Sequence, residues 1–301
     1  MSRFHGVIPP VVTLFRPDDQ FDPEQQARLI DKIIAGGVHG LFFLGSTGEA
    51  AHMTTQMRRE VAEFAIAHTA GRVPVMVGIS VPGTAESIGL AEHAAAHGAD
   101  AIVAINPYYS SLSQDGIYRY FRAIADAVPL PMMVYNFPGA TGQDISPELV
   151  RRLALDCESI VGFKDTVDTI SHIRRVISAV KPERPDFVVL AGFEEYMLLT
   201  LILGGDGSVP ASGNFAPRIA VSLYEAFRAG DYETAFAVQR QLADIMPLYW
   251  LESPYFATVK TAMKLAGLAE ATTVMPPSQD PSPETVAIVA TTLRKLGVLD
   301  K

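Results

Sequence analysis

Cysteine is almost absent: Cys157 stands alone in 301 residues, so no disulfide can form within the chain. That scarcity fits a reducing compartment and also many secreted enzymes without bridges. Positive charge is in deficit too, with 24 basic against 33 acidic residues and a formal charge of -9. No stretch gathers Lys and Arg into the stripe that a polyphosphate partner needs, so nucleic acid is not an expected partner. Long apolar runs are also missing. The opening "MSRFHGVIPPVV" is interrupted at Pro9 and Pro10, too short and too broken for a signal peptide or a membrane span, which makes the cytoplasm the expected location. Finally, no GxGxxG follows the first apolar segment, and the loop "GSTGEA" (Gly45 to Ala50) lacks the GK[ST] ending of a nucleotide loop.

What the chain does have is apolar content of 49%, enough for one large core. Short runs rich in Val, Ile, Phe and Leu alternate with segments of helical period from Gly6 to about Phe227, the pattern of repeated βα units. Eight strands are predicted: "GVIPPVVTLF", "GLFFLG", "PVMVGIS", "ADAIVAINP", "PMMVYNF", "IVGFKD", "FVVLAG" and "GDGSVPA". Most show no apolar/polar alternation, as expected of parallel strands covered on both faces. Helix starts are legible at Asp22 before Pro23, with Gln25 three residues on, and at Ser146 before Pro147. The expected fold is α/β, a (β/α)8 TIM barrel over residues 1–228, with a C-terminal helical appendage of three helices over 229–301 packed on it.

In such a barrel the chemistry belongs at the C-terminal ends of the strands. Lys164 sits at the end of the sixth predicted strand, inside "IVGFKDTVD", where a charge is costly. One reading pairs it with a neighbour such as Asp165 or Glu49 as a structural ion pair. The other makes it a nucleophile. With a reference pKa near 10.4, only about 0.04% of lysines are neutral at pH 7, whereas desolvation to about 7.5 would leave roughly a quarter neutral. A neutral amine can attack a ketone, and Tyr135 at the end of the adjacent strand puts a phenol at the same mouth. That combination points to imine chemistry on a 2-oxo acid, with Tyr135 moving protons and a hydroxyl chain through Ser46 and Tyr109 relaying them. The N–H groups of the Gly45–Gly48 turn, with the Ser46 and Thr47 hydroxyls, suit a carboxylate. "GGDGSVPASGN" (Gly204 to Asn214) lies where many barrels hold phosphate, which leaves a phosphorylated substrate open. His93 and His97, four apart on a predicted helix, could share a metal, but the sequence offers no evident third ligand and the pair falls on the outer ring, so a metal-dependent aldolase is the weaker alternative.

The motifs "GSTGE", "YNFPGATG" and "GFKDT", spread over essentially the whole chain, resemble those of the pyruvate-dependent class I aldolases and lyases of the dihydrodipicolinate synthase/N-acetylneuraminate lyase family. The resemblance implies that Lys164 forms the imine with pyruvate and that Tyr135 is the proton donor and acceptor. Ser46 and Tyr109 would complete the relay, Tyr109 reaching in from a neighbouring subunit of a homotetramer. Thr47 and the backbone at Val209 would hold the pyruvate carboxylate and its surroundings, with Gly45 and Gly48 also among the substrate-binding residues. No metal or organic cofactor is implied. Where synthases acting on aspartate semialdehyde place an arginine, this chain has Ala140, which cannot clamp a second carboxylate. The sequence is closer to bacterial 2-keto-3-deoxygluconate-type aldolases, which cleave a 2-keto-3-deoxy sugar acid to pyruvate and an aldehyde. 4-Hydroxy-tetrahydrodipicolinate synthase and an imine-forming sugar-acid dehydratase are the alternatives within this chemistry, and a metabolite-binding barrel without turnover is the alternative outside it.

Overall fold

A computed structural model describes residues 3–270 and 272–300; residues 1, 2 and 301, at the outer ends of the two expected regions, and Ala271 lie outside it. All eight expected strands are present and parallel: β1 Gly6–Val7, β2 Leu41–Phe43, β3 Val75–Gly78, β4 Ala101–Ile105, β5 Met132–Asn136, β6 Ile160–Asp165, β7 Val188–Ala191 and β8 Gly207–Ser208. From β2 to β8 each pairs with its sequence neighbour, and β8 returns to β1. The last gap, between β1 and β2, is closed by a parallel bridge from Pro10 to Phe42, with Val11 N–H donating to the Phe42 carbonyl at 2.8 Å. The sheet is therefore a closed (β/α)8 barrel.

The first strand is much shorter than its ten-residue apolar run. Pro9 and Pro10 carry no N–H, so the ladder cannot continue through them, and the run crosses to β2 as single contacts. Closure on the other side requires Gly207: a Cβ there would lie 2.0 Å from the Gly6 carbonyl oxygen.

Side-chain parity sorts the strands into two cores. Phe42, Met76, Val103, Met133, Tyr135, Val188 and Leu190 fill the barrel interior, while their neighbours such as Phe43, Val77, Val134, Phe163 and Val189 pack against the helical layer. Helix starts obey the local signals: Asp22 accepts from Gln25 N–H at 3.0 Å, and Ser146 caps Pro147–Asp156 by accepting from Leu149 N–H at 3.2 Å. Beyond Pro217–Ala229 the chain forms three further helices, Tyr232–Ile245, Phe256–Leu265 and Pro283–Lys295, with a 3₁₀ turn at Met246–Trp250. Among the described residues no helix is long and apolar enough to cross a membrane.

Candidate active site

Strand register decides what Lys164 faces. On β6, Gly162 and Lys164 point inward, and Lys164 is paired across the ladder with Tyr135 on β5 and Leu190 on β7. Its neighbour Asp165 points the other way, into the helical layer. There it accepts from His172 Nδ1 at 2.6 Å and from Asn136 Nδ2 at 3.0 Å. Burial alone would push the His172 imidazole down, but Asp144 and Asp165 overcome it and hold the ring up at about 9. The Asp165 partner proposed for Lys164 is thus committed elsewhere. Glu49, the other proposed partner, is ion-paired with the buried Lys260.

Lys164 is 5% exposed and has no ion pair among the described residues. Its Nζ lies 3.8 Å from the centroid of the Tyr135 ring and 5.0 Å from that of Phe42. Desolvation lowers its pKa from 10.5 to about 7. Aromatic faces favour the ammonium by only about 0.5–2 kcal/mol, less than the burial disfavours it, so the net direction is down. Near neutral pH roughly half of these amines are uncharged.

The Tyr135 hydroxyl accepts from Thr166 Oγ1 at 3.5 Å and is also reached by the Ser46 hydroxyl. Burial raises its pKa well above the ordinary phenol value, so it stays protonated. Thr166 owes this closeness to Gly192 at the end of β7, where any Cβ would sit 1.8 Å from the threonine hydroxyl. In the loop after β2, Gly48 N–H donates back to the Gly45 carbonyl at 3.1 Å and Glu49 N–H to Ser46 at 3.1 Å. The N–H groups of Ser46 and Thr47 have no protein partner among the described residues, and Thr47 Oγ1 shares a 2.8 Å hydrogen bond with the Tyr255 hydroxyl. This leaves two adjacent donors on residues that line the cavity with Lys164, a pairing that suits a carboxylate.

Val209 lines the same cavity, but its N–H donates to the Ala191 carbonyl at 2.8 Å. The carboxylate contact expected of its backbone therefore cannot come from that N–H. Its carbonyl can only accept. Tyr109 is fully exposed, has a left-handed φ of 77°, and does not line the cavity that holds Lys164. Within one chain Lys164, Tyr135, Ser46, Thr47 and Val209 are brought together and Tyr109 is not.

The cavity, about 1020 Å³, is roofed by Tyr249 to Phe256 from the C-terminal part. One wall holds Glu194, fully buried, whose carboxylate accepts from the hydroxyls of Ser212 and Tyr249. Burial raises this carboxyl to about 7, against the pull of those two donors. Ser212 belongs to the loop that could have held phosphate; an acid beneath it is the wrong charge for that.

Residues 3–296 match the dihydrodipicolinate synthetase family. The chain belongs to that family. Members similar to it include Escherichia coli (strain K12) YjhH, named a probable 2-dehydro-3-deoxy-D-pentonate aldolase, at 44% identity over 99% of both chains. Escherichia coli (strain K12) YagE, whose name carries a provisional 2-dehydro-3-deoxy-D-gluconate aldolase activity, is 44% identical over 98% of each. The crystal structure of YagE in complex with pyruvate superimposes with a TM-score of 0.97, covering 98% of this chain and 99% of that one. The dihydrodipicolinate synthase of Thermotoga maritima, 31% identical, gives 0.94 over 99% and 100%.

Sequence reasoning did not find Glu194, Thr166, Tyr249 or Tyr255 for this family member. Glu194 and Thr166 follow β7 and β6, so the strand-end rule applied to every strand would have raised them. Nothing in the sequence marks Tyr255, which is 208 residues from its partner Thr47.

Proposed function

We propose that the protein is a Schiff-base aldolase that reversibly cleaves a 2-keto-3-deoxy sugar acid to pyruvate and an aldehyde. The family and its aldolase-named members make the chain a pyruvate-dependent lyase. The observation that carries the imine route is the buried Lys164 amine, without an ion-pair partner among the described residues, stacked on Tyr135. A carboxylate would hold the amine as ammonium; without one, burial favours the neutral, nucleophilic form.

The neutral amine adds to the C2 ketone, and loss of water gives the imine. The protonated imine then accepts the electron pair of the C3–C4 bond as the C4 hydroxyl loses its proton and leaves as an aldehyde. Proton return to C3 and hydrolysis release pyruvate. Tyr135, buried and protonated, can give a proton only while receiving one, so it works as a relay with the Ser46 hydroxyl, and we assign the outer end of that relay to Tyr109 of a second copy in a homotetramer. The free N–H groups of Ser46 and Thr47 would hold the substrate carboxylate. Ala140 offers no clamp for a second carboxylate, and the Glu194 carboxyl, with lone pairs to spare, favours a hydroxyl-rich tail over an acidic one.

Incubation with pyruvate, borohydride reduction and mass mapping tests the imine: an adduct at Lys164 is expected, and its absence ends the proposal. Pyruvate release from 2-keto-3-deoxy pentonates and gluconates, compared with condensation of pyruvate and aspartate semialdehyde, then tests the substrate. Faster condensation than cleavage would overturn the sugar-acid assignment while leaving the imine intact.

Tyr135→Phe separates the two roles. The trapped adduct should still form, slowly, while kcat for cleavage falls by about 10²–10⁴-fold, the range for losing a positioned proton carrier. Loss of the adduct together with cleavage would show that the phenol is already required for imine formation, against the separation of roles.

A further inference from the structure

On the outer helical layer, three side chains that the aldolase site does not use converge. We propose that Glu63, His93 and His97 form a binding site for a divalent transition metal, with zinc the best match. His93 lies in helix Thr84–Ala96 and His97 caps its C-terminal end, one turn apart on the same face. Glu63 comes from the neighbouring helix Thr55–Thr69, supplying the third ligand that the sequence spacing left unidentified.

Glu63 Oε1 lies 2.8 Å from His93 Nε2 and 3.5 Å from His97 Nε2, and all three donor atoms fall within 4.8 Å of one another. Tetrahedral zinc with bonds of about 2.0–2.2 Å holds its ligands roughly 3.3 Å apart, so rotations of partly exposed side chains close the remaining gap without moving either helix. The tautomer of His97 is already set. Its Nδ1 donates to the His93 carbonyl at 2.8 Å, which leaves Nε2 as the lone-pair nitrogen aimed at Glu63. Two imidazoles and one carboxylate suit zinc better than magnesium or calcium, which prefer oxygen ligands, and they leave a fourth position open to water.

His97 ends the helix that leads into the N-terminal end of β4 at Ala101, so the ion would sit toward the barrel face opposite the catalytic mouth. Its effect there is to clip two helices together. It has no part in the lyase reaction.

Chelator-treated full-length protein titrated calorimetrically with zinc chloride should bind one ion per chain and melt at a higher temperature with zinc than without. Glu63→Gln and His97→Ala should each weaken binding by at least roughly tenfold, and the double variant His93→Ala/His97→Ala should lose both the binding and the rise in melting temperature. Circular dichroism of each variant shows whether it is folded, and if the double variant is not, Glu63→Gln decides alone. Less than half an ion per chain, or unchanged affinity in the variants, would overturn the site. Borohydride trapping of pyruvate at Lys164 should be the same with and without zinc, so failure here and failure of the imine assignment are separate results.

Discussion

Lys164→Met should erase the pyruvate adduct, lower cleavage by about 10⁴-fold or more, and yet make the protein more stable at neutral pH. The loss of rate follows from removing the amine to which the imine is assigned. The gain in stability follows from what the barrel does to the amine. Folding holds Lys164 near 7 against its ordinary 10.5, so between those values the unfolded chain binds a proton that the folded one does not. The destabilisation is fully present below about pH 7 and fades as pH rises toward 10.5. At about 1.4 kcal/mol per pH unit, it amounts to a few kcal/mol, enough to raise Tm by roughly 5–10 °C when the lysine becomes methionine. Calorimetry of both proteins at pH 7 and pH 10 checks this: the gap in Tm should narrow at the higher pH. In the unsubstituted enzyme, kcat/KM should climb about tenfold per pH unit below pH 7 and flatten above it, because only the neutral amine adds to the ketone. A rate that falls as pH rises through 7 would mean that the charged lysine is the working form.

Lys260→Met should be among the most destabilising single changes in the chain. Lys260 and Glu49 are both buried; the lysine also donates to the Thr273 carbonyl at 2.7 Å, and Glu49 accepts from Met275 N–H at 2.8 Å. Burial lowers the lysine pKa and Glu49 pulls against that shift. Removing the lysine strands a buried carboxylate at a cost of about 3–5 kcal/mol. Glu49 has left-handed backbone, φ 60°, and ends the loop that carries Ser46 and Thr47, so KM for the 2-oxo acid should rise as well. The double variant Glu49→Gln/Lys260→Met should recover most of the stability, since no unpaired charge remains. Denaturant unfolding of the two variants gives the comparison; equal loss in both would mean that packing, and not the stranded charge, sets the cost.

Several features are legible in the sequence alone. Runs such as "PMMVYNF" and "IVGFKD" are apolar at every position because both strand faces are covered, and that local property announced the parallel strands. Lys164 was conspicuous for the same reason: a charged residue in a buried run needs a cause. The first strand is shorter than its apolar run because apolar composition does not register the missing N–H groups of Pro9 and Pro10, which end the ladder at Val7.

By itself, the sequence determined the eightfold βα order, the capped helix starts and the placing of Lys164 and Tyr135 at adjacent strand ends, since each follows from hydrophobic period, turn chemistry and chain order. Only tertiary structure decided that Lys164 has no ion-pair partner among the described residues while Glu49 has Lys260, that Tyr255 closes on Thr47, that Glu194 backs the cavity, and that Glu63 meets the two histidines. These contacts join residues tens to hundreds of positions apart, and nothing in local periodicity records which distant side chain a closed barrel and its appended helices will bring within a few ångströms.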